Sequence, residues 1–524
     1  MKVNDHIGKG LPNFKFVHNN FGQLGSAAET IERTKMSSEH TKLSQDREYV
    51  ECIQSAPAFS WRDKVGYLLG DLGGNSLQVL VNVYMLMFLV NVIGIKAAHF
   101  AVVIAVCRML DSLNDPIIGS IVDHMRGRFD GKYKRWLVWI PVPMALLTVA
   151  LFFDTSSWPY AMKMIYALVA YFFWGVVSSF WNIPYGTMLN AITTDGKQRT
   201  ELSNFRAIGS TGASILVTTI APLIVFDAVN TPQAPGFLAL SIGLGVFSAL
   251  CLFGTYKLCR ERIVVSLATK KQKVHMGKML VSFIHNRPMI SIILSYIVFK
   301  FFIQTINLMN QYVFQAYYQD TKILAAIGLG NIIPLLLGMV LLKQVLKIMQ
   351  KKTLATYCVL VAAICYAFLA FVPVPPTVWI AVQLVAAFFQ GFFTLLIWAL
   401  IADAVDYQAY LTRQRNDGLV YSTVTFVVFL VASLATSFIA VIIDTLGYDP
   451  TLQANQTAQV AEALRLTAGL LPAIGCFLVF LIYRFVYNMT DEKMAEVQQV
   501  VNSLSEHLES EIEETTNTSE ETTK

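Results

Sequence analysis

The chain has 524 residues, of which 55% are hydrophobic and only 14% charged. Soluble domains carry roughly 25% charged residues, so a chain this apolar cannot cover itself with polar surface. A water-soluble enzyme, a nucleic-acid-binding protein and extensive disorder are all excluded, and lipid is the expected solvent.

The net charge of +5 is unevenly spread. Residues 1–60 are polar and mixed in charge, with no apolar core of a secretory signal, and read as a cytoplasmic tail. The segment from Asp491 to Lys524 holds ten Asp or Glu against two Lys and reads as an acidic cytoplasmic tail. Between them run twelve apolar stretches, starting near 66, 97, 135, 159, 204, 235, 288, 321, 353, 376, 418 and 461. Each approaches or exceeds the ~20 residues that a spanning helix needs. Lys and Arg gather in the connections after spans 2, 6, 8 and 10, among them RGRFDGKYKR at 126–135. The connections after odd spans (TSSWPY, VNTPQAPG, VPVPP) are nearly free of them. The positive-inside rule then places both termini in the cytoplasm of a multi-pass cell-membrane protein. The expected organisation is a tail at 1–60, a six-helix bundle at 61–256, a basic linker at 257–287, a second bundle at 288–489 and a tail at 490–524. Two bundles of six are the layout of a transporter whose substrate binds between them near the midplane.

Ionisable groups at bilayer depth are costly and mark function. In span 1, Asp71, Asn75 and Gln78 share a face, beside four glycines that point to close helix contacts. In span 2, CRMLDSLNDPIIG sets Arg108, Asp111 and Asp115 on one face with Asn114 beside them. Carboxylates four residues apart repel unless a cation sits between them. Arg108 as a static partner, a bound sodium ion and a proton each satisfy that requirement. Span 4 contains Ser178, Ser179 and Asn182 among Trp174, Trp181 and Tyr185, the mix of apolar faces, donors and acceptors that a sugar ring needs; core packing accounts for it equally well. Arg206 in span 5 reads either as a ligand to hydroxyls or as an interface anchor. In span 7, Lys300 lies twelve residues past Pro288, roughly 18 Å deep at 1.5 Å per residue. Gln304, Asn307 and Gln311 continue its stripe, with Asn310 at its flank. Amides at that depth line a wet cavity or join helices.

The seven cysteines form no CxxC pair, and the eight histidines show no metal-ligand spacing. No metal site, cofactor, nucleotide-binding loop or nucleophile–base pair is expected.

The stretches RMLDSLNDPIIGSIVDHMRGRF, WGVVSSFWNIPYGTM and IADAVDYQAYLTRQRNDGLVYS resemble the glycoside–pentoside–hexuronide:cation symporters of the major facilitator superfamily, over about 66–488. The resemblance implies an all-α membrane protein of twelve transmembrane helices in two six-helix bundles. It also implies uptake of a sugar or glycoside by symport with Na+ or H+. By position it makes Asp111 and Asp115 cation-binding, with Asn114 and Ser179 beside them. Asn75 and Asn182 fall where the family's type member has sugar-binding aspartates, and Arg206 matches an arginine of that pocket. Trp181, Tyr185, Lys300, Gln304, Asn307 and Gln311 complete the expected substrate site. Arg108, Asp403, Asp406 and Arg415 are expected in gate ion pairs. Two departures stand out: Gly186 replaces a tryptophan, and Phe429 replaces a lysine near the cation site, so Lys300 is expected to partner Asp111 or Asp115. A solute sensor on the same fold and a carrier of another amphiphile such as a lysolipid are the alternatives. Lipid is the expected surround, and the oligomeric state is not legible.

Overall fold

A computed structural model describes residues 55–125, 131–193, 195–263, 287–412, 431, 434–488, 493, 496 and 497. Asp406 is described in its backbone alone, and Arg415 and Phe429 lie outside the described residues.

The described chain is helical. In the first half, α1 is Trp61–Met87, α2 Ala97–His124, α3 the broken pair Trp136–Trp139 and Pro141–Leu151, α4 Tyr160–Ile192, α5 Gly196–Val225 and α6 Ala234–Leu258. In the second, α7 is Arg287–Ala316, α8 the pair Leu324–Gly330 and Ile332–Val345, α9 Lys351–Phe371, α10 Pro376–Thr412, α11 includes Leu434–Thr445, and α12 is Ala458–Leu481. Eight of these helices are long and apolar enough to span a membrane. The four acid and basic groups within α2, Arg108, Asp111, Asp115 and Asp123, lower its hydropathy, although its 28 residues suffice in length.

Two starts differ from the sequence reading. The first helix begins at Trp61, five residues early, because Ser60 and Asp63 form a capping box. The fifth begins at Gly196, eight residues early, because the polar segment KQRTELSN continues the helix beyond its apolar part. The residues just after α6 pack into the first half. The Arg262 guanidinium clasps the Asp63 carboxylate at 2.8 and 3.1 Å. Buried Glu261 accepts the backbone N–H groups of Lys132, Tyr133 and Lys134, each at 2.8 Å. This ties the basic connection between α2 and α3 to the foot of α1. We call that side, where α1 begins and α4 and α6 end, the basic end.

The halves meet at the opposite, far end. There α1 passes into a π-helical turn, Phe88–Val92, whose wider winding carries Asn91. The Asn91 Nδ2 donates to Gln315 Oε1 at 3.1 Å and to the Tyr448 hydroxyl at 2.6 Å, and Gln453 Nε2 donates to the Asn91 carbonyl at 3.4 Å. A second clasp joins Asn230 to Gln319 and Thr321: its Nδ2 donates to the Gln319 carbonyl, and its Oδ1 accepts from the Thr321 N–H and hydroxyl at 2.9 and 2.8 Å. Asn230, Gln319 and Gln453 have φ of 60°, 53° and 48°. Left-handed backbone is costly away from glycine, and these are the non-glycine residues with positive φ among those described. All three sit in the seal. The hydrogen bonds that join the halves between described residues all lie on this side, so the far end is closed.

Candidate functional site

The polar face of α1 runs Asp71, Asn75, Gln78, Asn82 at helical spacing. At its lower end Asp71, with its side chain 2% exposed, accepts from Arg206 Nε of α5 at 2.9 Å and from Asn75 Nδ2 at 2.7 Å. The Arg206 guanidinium lies over the Tyr185 ring, 5.3 Å from its centroid. Tyr185 and Tyr67 stack at 4.7 Å and exchange hydroxyl-to-carbonyl hydrogen bonds of 2.5 and 3.1 Å. This contact between α1 and α4 exists because α1 has no side chains there. A Cβ on Gly70 would sit 2.3 Å from the Tyr185 ring, and one on Gly74 would sit 1.9 Å from Trp181. The expected close glycine packing is therefore present. It also buries Trp181 and Tyr185 under α1, away from the cavity wall, the core-packing one of the two readings that the sequence left open.

Above this network lies a cavity of about 560 Å³ between the halves. From the first half, α1 contributes Gln78 and Asn82, α2 contributes Arg108, and α5 contributes Thr211, Ser214 and Thr218. From the second half, α7 contributes Gln304, Asn307, Asn310 and Gln311, joined by Asn331, Thr394 and Thr436 from α8, α10 and α11. Amides and hydroxyls dominate, with apolar residues such as Val79, Ile215 and Ile327 between them. Arg108 is the charged side chain on the wall among the described residues. Two of the amides are pre-set: Asn310 donates to Gln383 at 3.2 Å and accepts from Trp379 Nε1 at 3.3 Å. Gln311 donates across the halves to the Val83 carbonyl at 2.7 Å.

The structure thus brings Gln304, Asn307 and Gln311 together on one wall. Asn75 and Arg206 lie below the cavity, within the Asp71 network. Asn182 is half-buried on α4 and off the wall. Sequence reasoning passed over Asn82, Thr211, Ser214, Thr218, Asn331, Thr394 and Thr436. Asn82 was findable, being the next step of the Asp71–Asn75–Gln78 stripe. The scattered hydroxyls carried no such signal, because a Ser or Thr in a spanning helix more often bonds its own backbone, as Thr218 does to Ser214 at 2.7 Å.

On α2, Arg108 Nη2 donates to Asn82 at 2.7 Å, its Nη1 stands 3.9 Å from Asp111 Oδ2, and the guanidinium carbon lies 5.5 Å from the Tyr171 ring centroid. Asp111 packs against Gly175 of α4, where a Cβ would approach its Oδ1 to 2.3 Å. That Oδ1 is buried with no hydrogen-bond partner, as is Asn114 Nδ2. Asp115 is exposed, yet it shares the Arg108–Asp111 face; the exposed apolar residues Val102, Met109 and Ile117 occupy the opposite one. Ser179 is half-buried on α4, near Gly175 in sequence.

Lys300 does not replace the missing lysine in this arrangement. Its ammonium lies 5.5 Å from the centroid of Tyr296, one turn back on its own helix, and it is off the cavity wall. The described cation beside Asp111 is Arg108, because an i, i+3 pair on one helix needs no other element to move. Asp403, expected in a gate ion pair, pairs with Lys351 of α9 at 3.0 Å, inside the second half.

The chain matches known proteins along most of its length. The family model described as MFS/sugar transport protein covers residues 66–491. The chain is 30% identical over 467 residues to an uncharacterized symporter, YjmB, of Bacillus subtilis (strain 168), covering 87% of this chain and 98% of that one. It is 26% identical to the isoprimeverose transporter of Lactiplantibacillus pentosus, covering 84% and 91%. Among solved structures, a bacterial homologue of the lysosomal transporter Spinster superposes with a TM-score of 0.61 at 12% identity, covering 86% of this chain and 98% of that one. With two bundles of six helices closing on a polar cavity and a family match from end to end of both, the chain belongs to the MFS/sugar transport family and is a multi-pass membrane transporter of the major facilitator fold.

Proposed function

We propose that the protein imports a sugar or glycoside by alternating access, in symport with Na+ or H+, across the cell membrane, with its basic end and both termini in the cytoplasm. The observation that carries this reading is the cavity wall. An amide supplies a donor and an acceptor at one position, and a hydroxyl supplies both from one atom, which matches a polyhydroxylated ring. The volume falls in the range of small-molecule sites, roughly 300–1,000 Å³. A lysolipid would need a long apolar trough instead.

Asp111 Oδ1 supports the coupling. It is a hard oxygen acceptor, buried and unpartnered, one turn from Asp115 and beside the Arg108 that reaches the cavity wall. A hard cation or a proton suits such an atom. Neutralising the acidic pair removes the charge that opposes closure around the substrate. The Asp71–Arg206–Asn75 network holds the floor below, and substrate contacts by Asn75, Asn182 and Arg206 are proposed as rearrangements from this state.

The test is counterflow of radiolabelled sugars in proteoliposomes, with sodium and pH varied independently. Accumulation that follows either ion is expected. Binding without counterflow points to a sensor, and uptake of lysolipid but no sugar defeats the proposal.

A further inference from the structure

On α7 the cavity wall begins at Gln304. Lys300 stands one turn below it, nearer the basic end. At roughly 100° per residue its bearing lies within about 40° of those of Gln304, Asn307 and Gln311. Its neighbours take up the other directions. Phe299 packs on Phe393 of α10 with ring centroids 4.7 Å apart, Phe301 on Phe438 of α11 at 5.2 Å, and Phe302 against Gly475 of α12. Lys300 is thus turned away from its own bundle and toward the other half, and it is partly exposed. Its ammonium rests 5.5 Å from the Tyr296 centroid and makes no ion pair among the described residues.

The other charges well inside the described spans have counter-charges. Asp71 is paired with Arg206, and Asp403 with Lys351. Arg108 offsets one carboxylate of the Asp111–Asp115 pair, and the symported cation of the proposed cycle offsets the other. Lys300 is the charge left over. The stretch 418–433, which precedes Phe438 in the chain, brings it no relief, since it contains no Asp or Glu. An ammonium at this depth is costly without an anion to meet it.

We infer that the substrate is an acidic sugar, bearing a single carboxylate or sulfonate, and that Lys300 is the residue that selects for that charge. This rests on the sugar-transport reading and narrows its substrate class. The amides of α7 and the hydroxyls of α5 hold the ring, and the acidic substituent points toward the basic end. The four-carbon stem of Lys300 spans the one turn, about 6 Å, that separates it from the level of Gln304. The loaded carrier then closes with its charges matched, the cation against the acidic pair and the substrate anion against Lys300. With a neutral sugar, closure buries an ammonium that has no counter-charge.

The experiment measures binding to the full chain in nanodiscs, in saturating sodium and separately at acidic pH. The probes are methyl β-glucuronide, methyl α-galacturonide and methyl 6-deoxy-6-sulfo-α-glucoside, each against its neutral parent glycoside. An ion-assisted hydrogen bond predicts that at least one acidic member binds about tenfold more tightly than its parent. Lys300→Gln should bring that ratio close to unity by weakening the acidic member alone, and Lys300→Arg should keep it. Lys300→Met takes the place of the Gln variant if that one does not fold. Gln304→Leu should weaken both members of a pair alike and leave the ratio unchanged. Neutral parents that bind as tightly as their acids overturn the inference while the sugar-transport reading stands. A preference that survives in Lys300→Gln overturns it as well. Binding by none of the glycosides, with no counterflow of them or of isoprimeverose, strikes the sugar-transport reading itself, and this inference falls with it.

Discussion

Two polar stripes face each other across the cavity, on α1 and α7, and they are fixed by different means. The α1 stripe ends in charge: Asp71 is held by Arg206 and Asn75, and the helix is pressed onto α4 through Gly70 and Gly74. The α7 stripe from Gln304 to Gln315 is neutral, and its upper members bond to the opposite half. An ion pair at low dielectric is expensive to separate, whereas an amide exchanges one partner for another or for water at little cost. The contrast assigns the parts of an alternating-access cycle. The α1 side is a fixed rail, and the α7 side carries the contacts that must be made and broken.

The largest effect should come from breaking the rail. Asp71→Ala leaves the Arg206 guanidinium without its carboxylate and should cost about 3 kcal/mol, the low end for a buried pair because Arg206 is 38% exposed. Thermal unfolding in detergent measures it. Adding Arg206→Leu should recover part of the loss; no recovery would mean that the pair is not what holds this region. Next comes Gly74→Ala, whose new methyl meets the Trp181 ring and should cost about 2 kcal/mol through overpacking. If Gly74→Ala is neutral, the two helices are not in the close contact seen, and α1 loses its standing as the fixed side. Smaller again is Gln315→Leu in the seal. Asn91 and Tyr448 still bond to each other at 2.6 Å, so the expected cost is about 1 kcal/mol of global stability. Its larger expression is a shift toward far-end opening, read as a longer distance between spin labels at the exposed far-end residues Phe153 and Phe371. An equal loss of stability in Asp71→Ala and Gln315→Leu would erase the distinction between the stripes.

Hydropathy and charge placement made the two bundles legible, because both follow from the cost of polar groups in lipid. The amide stripe of α7 was also legible, since Gln and Asn at i, i+3, i+4 spacing have no cheap use in a spanning helix other than a cavity or a joint. That stripe turned out to be both, which no single-helix pattern distinguishes. Trp181 and Tyr185 stayed ambiguous because an aromatic beside a proline reads alike whether it faces a ligand or a glycine on the next helix. The partner of Asp71 was hidden for a different reason: Arg206 is 135 residues away, and a pair at that separation leaves no local signature. The seal was invisible as well. Asn91, Asn230, Gln319 and Gln453 sit in connections and a π-helical turn, where polar residues are ordinary, and the left-handed φ values of Asn230, Gln319 and Gln453 leave no mark in residue type.

The last test asks whether the first half's fixed character extends off the stripe to its basic end. There Glu261 sits buried under three backbone N–H groups from the connection between α2 and α3. Burial pushes its carboxyl above the ordinary 4.5, against the pull of those donors and of Lys134. A carboxyl raised in the folded state binds its proton more tightly there than in the unfolded chain. Its contribution is therefore fully present below the ordinary value and declines as pH rises through the folded one. The melting temperature should fall slightly between pH 4.5 and neutrality by an amount that Glu261→Gln removes. The same substitution should lower stability at all pH values by roughly 1 kcal/mol, because a glutamine offers one acceptor oxygen where the carboxylate offers two. If the pH slope survives in Glu261→Gln, the titrating group lies elsewhere and the basic end owes its order to the Asp63–Arg262 clasp alone. If the slope reverses in the unaltered chain, the three amide donors outweigh burial, and Glu261 stays ionised in the fold.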